Sequence, residues 1–433
     1  MKYFGTDGVR GIPNQKLNLN LITSIGRALI TLDNPTVIVG TDTRESKDMI
    51  ASALIAGCLS VGLNVEYVEI LSTPGVIYLS KMKQAIGVMI TASHNPYFYN
   101  GIKIIKEGRK LKQEEEERIE QFIDHPPVLS SKAIGKYMPA TFLSKEYHKK
   151  LIQSIYPTNL RIAVDCANGA TYKTAPLIFN LITSSSVVIN HQPDGCNINE
   201  NCGSTHIENL SKLVVEQGCD LGIAFDGDGD RILCVDQDGI PVDGDLLIYI
   251  FACYLKDKGL LNKNKVALSV MSNLGVIQAL HKRGIEVIET PVGDKYISDA
   301  INEHDLSIGG ENSGHIIMPF VTSTGDGIIL AMKLIQVLEE TKTTLADWVK
   351  DIILYPYALQ NIVVQDKKKV MGIPLQKEID EIKEELHQDC KIIVRPSGTE
   401  DCIRLSVMAK TQGLVEKYKN KLMTLIETLD AVQ

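Results

Sequence analysis

The chain has 433 residues, 44% of them hydrophobic and 23% charged, with a formal net charge of −8. This is the balance of a soluble globular protein of about two to four domains. The acidic surplus, with no basic stripe interleaved with aromatics, argues against a nucleic-acid partner, because such binding needs lysines and arginines to displace condensed counterions.

In chain order, the start MKYFGTDGVRG lacks the charged-then-apolar pattern of a signal peptide. TVIVGTD (36–42), NVEYVEI (64–70) and AIGVMIT (85–91) read as buried strands. Between the first two, the spacing predicts a helix from Ser46 to Val61 with Ser46 as its N-cap. KQEEEERIEQF (112–122) alternates charge signs at helical spacing and reads as a solvated helix face without a function.

The alternation restarts at LRIAVDCANGA (160–170), VVIN (187–190), LGIAFD (221–226) and RILCVD (231–236). A third cycle runs through KVALSVMSN (265–273), IEVIETPV (285–292) and LSIGG (306–310). LLIYIFACYL (246–255) is too short and too closely flanked by charge to cross a membrane, so no membrane partner is expected. The end is different, with strands at NIVV (361–364), KIIVRP (391–396) and IRLSVMA (403–409) and helices around 374–388 and 412–430. The pattern predicts an α/β fold of three similar domains with mixed sheets, 1–150, 151–250 and 251–357, and a smaller C-terminal α+β domain, 358–433. Nine cysteines, an odd number scattered along the chain, suit reduced buried thiols in a cytoplasm. Cys196 and Cys202, between His191 and His206, do not have zinc-knuckle spacing.

Open α/β sheets bind ligands beyond the carboxyl ends of their strands. There each cycle carries a polar loop, TASHNP in the first, DGDGD in the second and GGENSGH in the third. Three different chemistries on three similar folds suggest one composite site. Asp226, Asp228 and Asp230 would repel one another unless a cation held them, and the intervening glycines let their oxygens converge on magnesium or calcium. The same dipeptides suit a plain hairpin, and a hairpin can also be a metal loop. Arg231 follows directly and suits a phosphate held by the same ion. RPSGTE (395–400) offers a guanidinium, two hydroxyls and backbone N–H groups to a phosphate, though a bare turn reads equally well. GGENSGH, with Glu311, Ser313 and His315, suits vicinal sugar hydroxyls, and a glycine-rich turn is its plain alternative. No nucleotide-binding glycine motif follows a strand. A magnesium loop, a phosphate grip and a polyol reader together make Ser93 a candidate carrier of a phosphoryl group rather than a turn or cap residue.

These four stretches together, in this order, resemble the α-D-phosphohexomutase superfamily over essentially the whole chain. FGTDGVRG, ASHNPYFYNGIKI, VDCANGATY and DGCNINENCGSTH (194–206) are similar to its bacterial branch acting on glucosamine phosphates. The chain departs from that branch at Asn312, where glutamine is more usual, and at Asp401, where proline is common. The resemblance implies three similar domains and a smaller one around a central cleft. It implies phosphorylation of Ser93 and one Mg²⁺ on Ser93, Asp226, Asp228 and Asp230. It implies sugar contacts from Glu311 and Ser313 with His315 nearby, and a phosphate grip from Arg395, Ser397, Gly398 and Thr399. Arg10, His94 and Lys103 match positions around the serine, and the identity of the proton-transferring base is left open. The implied reaction is reversible conversion of glucosamine 6-phosphate to glucosamine 1-phosphate, with a sugar 1,6-bisphosphate as intermediate and activator, feeding UDP-N-acetylglucosamine in the cytoplasm. The alternatives are a phosphomannomutase or phosphoglucomutase, a Mg²⁺-dependent sugar phosphatase with Asp226 as nucleophile, and a phosphosugar-binding regulator without turnover. A homodimer is compatible with the sequence and is not specified by it.

Overall fold

Residues 2–5, 7–127, 134–387, 389–396 and 402–431 are described by the computed structural model. The chain divides into two compact units, one of Met1–Ser269 with Thr290–Lys350 and one of Val270–Glu289 with Asp351–Gln433.

In the first unit the earliest apolar runs form a sheet in the order Val9–Gly11, Asn100–Lys106, Ile86–Ile90, Thr36–Thr41, Asn64–Ile70, Tyr137–Pro139. Valine and isoleucine dominate its inner strands because a sheet covered on both faces has no polar side to offer. Val37, Val39, Ile86, Val88 and Ile90 are fully buried, and Ile50, Leu54 and Cys58 of the helix Lys47–Ser60 pack on them. Ser46 stands at the N-cap of that helix, but its hydroxyl does not cap. It accepts a hydrogen bond from Asn100 Nδ2 instead, at 2.9 Å, so a long-range contact wins over the local one.

The charge run lies on the helix Gln113–Asp124 and is not simply solvated. Glu115 is buried and takes both Arg109 terminal nitrogens, at 2.7 and 2.8 Å. Glu120 accepts the backbone N–H groups of Lys2, Tyr3 and Phe4, which fixes the first strand's approach.

A second sheet runs Pro241–Val242, Ile232–Val235, Leu221–Phe225, Ile162–Asp165, Ser186–Ile189. In a third, Lys265–Ser269 lies parallel to Gly309–Gly310, which pairs antiparallel with Ile316–Ile317. LLIYIFACYL lies in the helix Gly244–Asp257, a core helix with ten of its 14 residues buried. No described helix is long and apolar enough to cross a membrane.

The three sheets repeat one device. A parallel strand (Ile86–Ile90, Leu221–Phe225, Gly309–Gly310) leads through a polar loop into an antiparallel partner (Asn100–Lys106, Ile232–Val235, Ile316–Ile317). TASHNP, DGDGD and GENSGH are therefore the same connection in three versions.

The second unit holds an α+β module at its C-terminal end, and it also takes in Val270–Glu289, a stretch the sequence reading places in the third domain. Tyr357–Val363, Cys402–Ala409 and Cys390–Pro396 form an antiparallel sheet, and Ile373–Glu385 and Gln412–Ala431 cover it.

Candidate active site

The loop after Ile86–Ile90 turns back at Ser93, whose φ of +53° lies in the left-handed region. Asparagine and glycine visit that region easily, whereas serine needs outside support. Here the Ser93 N–H donates to Thr91 Oγ1 at 2.9 Å, and its carbonyl accepts from Arg44 Nη2 and Asn199 Nδ2, each at 2.9 Å. The result is a residue only 1% exposed whose hydroxyl donates to Asp226 Oδ2 at 2.6 Å. His94 Nδ1 is 3.4 Å from the same hydroxyl. Burial, with Arg231 and Arg10 nearby, pushes the His94 pKa down to about 3, so its ring is neutral.

Asp226, Asp228 and Asp230 are buried, and one oxygen from each lies within 4.8 Å of the others. Asp228 Oδ1 and Asp230 Oδ1 have no hydrogen-bond partner among the described residues, which is costly for buried carboxylate oxygens. Hard oxygens with unused lone pairs in a tight loop fit a divalent cation such as magnesium. Burial and the two neighbouring aspartates raise the Asp226 carboxyl well above the usual range. At Asp230 burial acts in the same sense but loses to Lys103 and His315, and the carboxyl is held well below it.

Neighbouring strands supply the cations. Met89 pairs with Lys103 across the sheet, and Gly101 with Arg10 beyond it, so both cations flank the loop that follows Ile90. Lys103 Nζ donates to Asp228 Oδ2 at 2.8 Å and to Asp230 Oδ2 at 3.2 Å. Burial works against its charge, but the surrounding carboxylates outweigh it and hold the Lys103 pKa well above the ordinary value. Arg10 pairs with Asp7 at 2.6 Å. Arg231 Nε lies 4.0 Å from Asp226 and 3.9 Å from Asp230.

The loops press together where glycine removes side-chain bulk. A Cβ on Gly227 would stand 2.6 Å from the Ser93 carbonyl, and one on Gly314 (φ +89°) 2.1 Å from that of Ile232. The Ile232 N–H donates to the Gly314 carbonyl at 3.1 Å, which docks the GENSGH loop on the metal-loop hairpin. His315 Nδ1 thereby comes to 3.6 Å from Asp230 Oδ1. On the same loop Glu311 accepts the Gly293 N–H at 2.9 Å, and the Ser313 hydroxyl is buried with no partner among the described residues.

Ser93, His94, Arg10, Lys103, the three aspartates, Arg231 and His315 thus form one cluster in the first unit. Arg395 belongs to the second unit, where it sits opposite Arg404 on paired strands. Ser397, Gly398, Thr399 and Asp401 lie outside the described residues.

The sequence reading passed over several members of the cluster. Arg44 is wholly buried and pairs with Asp42 at 2.9 Å, and it binds the carbonyls of Ser93, Asn95, Pro96 and Tyr99. Thr73 donates from its hydroxyl to Asp228 Oδ2 at 2.5 Å and from its N–H to the Asp228 carbonyl at 2.9 Å. Arg44 and Thr73 follow the carboxyl ends of Thr36–Thr41 and Asn64–Ile70, the same rule that located Ser93.

Four family models together match most of this chain. Those for the alpha/beta/alpha domains I, II and III of phosphoglucomutase/phosphomannomutase match residues 1–127, 141–239 and 243–355, and the C-terminal domain model matches 359–425. The phosphoglucosamine mutase of Bacillus pumilus (strain SAFR-032) is 42% identical over 440 residues, covering 98% of each chain. That of Limosilactobacillus reuteri is 43% identical, covering 98% of this chain and 97% of its own. Among solved structures, a phosphoglucomutase/phosphomannomutase family protein from Burkholderia thailandensis superposes with a TM-score of 0.81 at 18% identity, covering 98% of this chain and 97% of that one. The N-acetylphosphoglucosamine mutase of Aspergillus fumigatus in complex with GlcNAc-6P and magnesium gives 0.72 at 16% identity, with 99% and 96% covered. The chain belongs to the phosphoglucomutase/phosphomannomutase family.

Proposed function

We propose that this family member interconverts glucosamine 6-phosphate and glucosamine 1-phosphate through a phosphorylated Ser93. The carrying observation is the Ser93 hydroxyl itself, fixed by a left-handed turn and aimed at a buried carboxylate triad 2.6 Å away. The full-length likeness to phosphoglucosamine mutases supports the choice of an amino sugar.

Asp226, Asp228 and Asp230, with an oxygen of the phosphorylated Ser93, would hold one Mg²⁺. Bound there, the ion neutralises phosphoryl charge and makes the phosphorus more electrophilic. Glu311 and Ser313 orient the sugar through its hydroxyls, with His315 beside them. Arg231 faces the phosphoryl group, and Arg395, Ser397, Gly398 and Thr399 grip the phosphate that is not reacting. Phosphoryl transfer breaks the bond to Ser93 Oγ as the bond to the sugar oxygen forms, and the sugar hydroxyl gives up its proton. The resulting 1,6-bisphosphate turns end over end, and its opposite phosphate returns to Ser93 while the freed sugar oxygen regains a proton. Lys103, His94 and Arg10 set the field around Ser93 Oγ during both transfers. Positioning and water exclusion do most of the work, since phosphoserine must not be hydrolysed.

A sugar 1,6-bisphosphate is the proposed activator of protein that lacks its phosphate. The proposed division at 1–150, 151–250, 251–357 and 358–433 gives each module one loop, and the proposed setting is the cytoplasm.

Phosphorus NMR with Mg²⁺, glucosamine 6-phosphate and a trace of sugar 1,6-bisphosphate tests this reading. The native protein should build up the 1-phosphate signal and Ser93→Ala should not. Release of inorganic phosphate alone, or equal activity in Ser93→Ala, would shift the reading to an Asp226 phosphatase. Faster turnover of glucose or mannose phosphates would move it to the 2-hydroxy sugars.

A further inference from the structure

Six charged groups close a ring beside the candidate site. Asp230 binds Lys103 at 3.2 Å, and Lys103 binds Asp7 Oδ2 at 2.9 Å. Asp7 Oδ1 accepts from Lys110 Nζ at 2.8 Å, and the same ammonium donates to Asp294. Asp294 Oδ2 lies 3.7 Å from His315 Nε2, and His315 Nδ1 lies 3.6 Å from Asp230, which completes the circuit. Charges alternate in sign around it once His315 is protonated. Lys110 is the link that joins the halves, because its ammonium pairs with both Asp7 and Asp294.

Local structure places each member. Lys110 follows a turn at Gly108 (φ +82°) that folds Arg109–Lys110 back on the strand carrying Lys103. Asp294 opens the helix Asp294–His304 directly after Gly293, whose N–H holds Glu311. An open cavity of about 550 Å³, lined by Lys110, Asp294, Lys295, Ser298, His315 and Thr324 among others, reaches the ring from outside. A bare surface ion pair would contribute little, but this array ends on two groups in the metal-loop cluster.

We propose that Lys110, with Asp7 and Asp294, is a positioning unit that fixes the Lys103 ammonium and the His315 imidazole on either side of the carboxylate triad. The inference rests on the proposed mutase reading and deepens it. Asp7 sets Lys103, Asp294 sets the imidazole plane, and Lys110 keeps the two carboxylates at a constant separation. Supporting groups of this kind typically govern activity by about 10- to 100-fold without touching substrate.

The test measures kcat and KM for glucosamine 6-phosphate in Lys110→Met, Asp294→Asn, the double variant and Lys110→Arg, with thermal midpoints for each. We expect Lys110→Met and Asp294→Asn each to lower kcat by about 10- to 100-fold with KM within about threefold. The double variant should fall no further than the worse single one, because both cut the same link. Lys110→Arg, which keeps a cation between the carboxylates, should retain more kcat than Lys110→Met. Single variants with kcat within about twofold of native, losses that multiply in the double variant, or losses that follow the thermal midpoint would overturn the proposal. Native protein that forms no 1-phosphate would sink the mutase reading and this inference together, whereas active native protein with an indifferent Lys110→Met sinks the inference alone.

Discussion

The serine loop and the metal loop occupy equivalent places in their repeats, yet they are held in opposite ways. The metal loop bends at Gly229 (φ +74°), where the backbone meets no penalty. The serine loop bends at Ser93 (φ +53°), a conformation that costs an L-residue about 1–2 kcal/mol. One loop is permissive so that three carboxylates can converge. The other is strained and over-determined, so that one hydroxyl keeps one direction. Strain of this kind persists only where the surroundings dictate it.

Removing the serine loop's support should have the largest effect. Arg44→Met strips five hydrogen bonds from loop carbonyls and from Asp42. It also leaves the Asp42 carboxylate fully buried without its guanidinium. Urea denaturation should show a loss of about 3–5 kcal/mol, as for other broken buried pairs, and any folded fraction should be inactive.

The metal loop is braced from behind, and its brace should answer to pH. Gly327 donates its N–H to the Gly229 carbonyl at 3.1 Å, and Asp326 caps the helix Gly327–Thr341. Burial raises the Asp326 pKa from 3.8 to about 6, against hydrogen bonds from Ile329 and Tyr147 and the nearby charge of Lys150. Tyr147 and Lys150 face it from the helix Ser144–Gln153. A folded pKa above the unfolded one gives stability that is present below 3.8 and lost as pH rises through about 6. Asp326→Asn keeps an acceptor for the cap and removes the titration. Its stability relative to native protein should rise between pH 4 and pH 7, by about 3 kcal/mol at most. Denaturation at the two pH values checks this, and a constant difference would refute it.

The smallest effect should come from the metal loop's side contact. Thr73→Val keeps the shape and the N–H bond but deletes the hydroxyl on Asp228 Oδ2. The Mg²⁺ concentration giving half-maximal mutase activity should rise about tenfold, the lower end for lost supporting contacts, with the unfolding midpoint little changed.

What could be read in advance follows the range of the forces involved. Valine and isoleucine runs announced the strands, and aspartates one glycine apart announced a cation, because both signals are local. Ser46 shows the limit even at short range, since its position as a cap was legible but its hydroxyl answers to Asn100, 54 residues away. Lys110 and Asp294 meet across 184 residues, and nothing in KEGRKLK or TPVGDKY marks them as partners. Glu115 and Glu120 looked like solvent-facing charges because periodicity cannot show that Arg109 and the backbone of residues 2–4 cover them.

The burial of Ser93 also bears on how the folded chain can receive its first phosphate. A protein kinase takes its target as an extended segment laid across its own surface. Here the serine is 1% exposed in a tight turn, and the carbonyls around it are tied to Arg44 and Asn199. Presenting that segment to another macromolecule means unpicking the turn, so a kinase would meet this serine only once the loop's hydrogen bonds to Arg44 and Asn199 have opened.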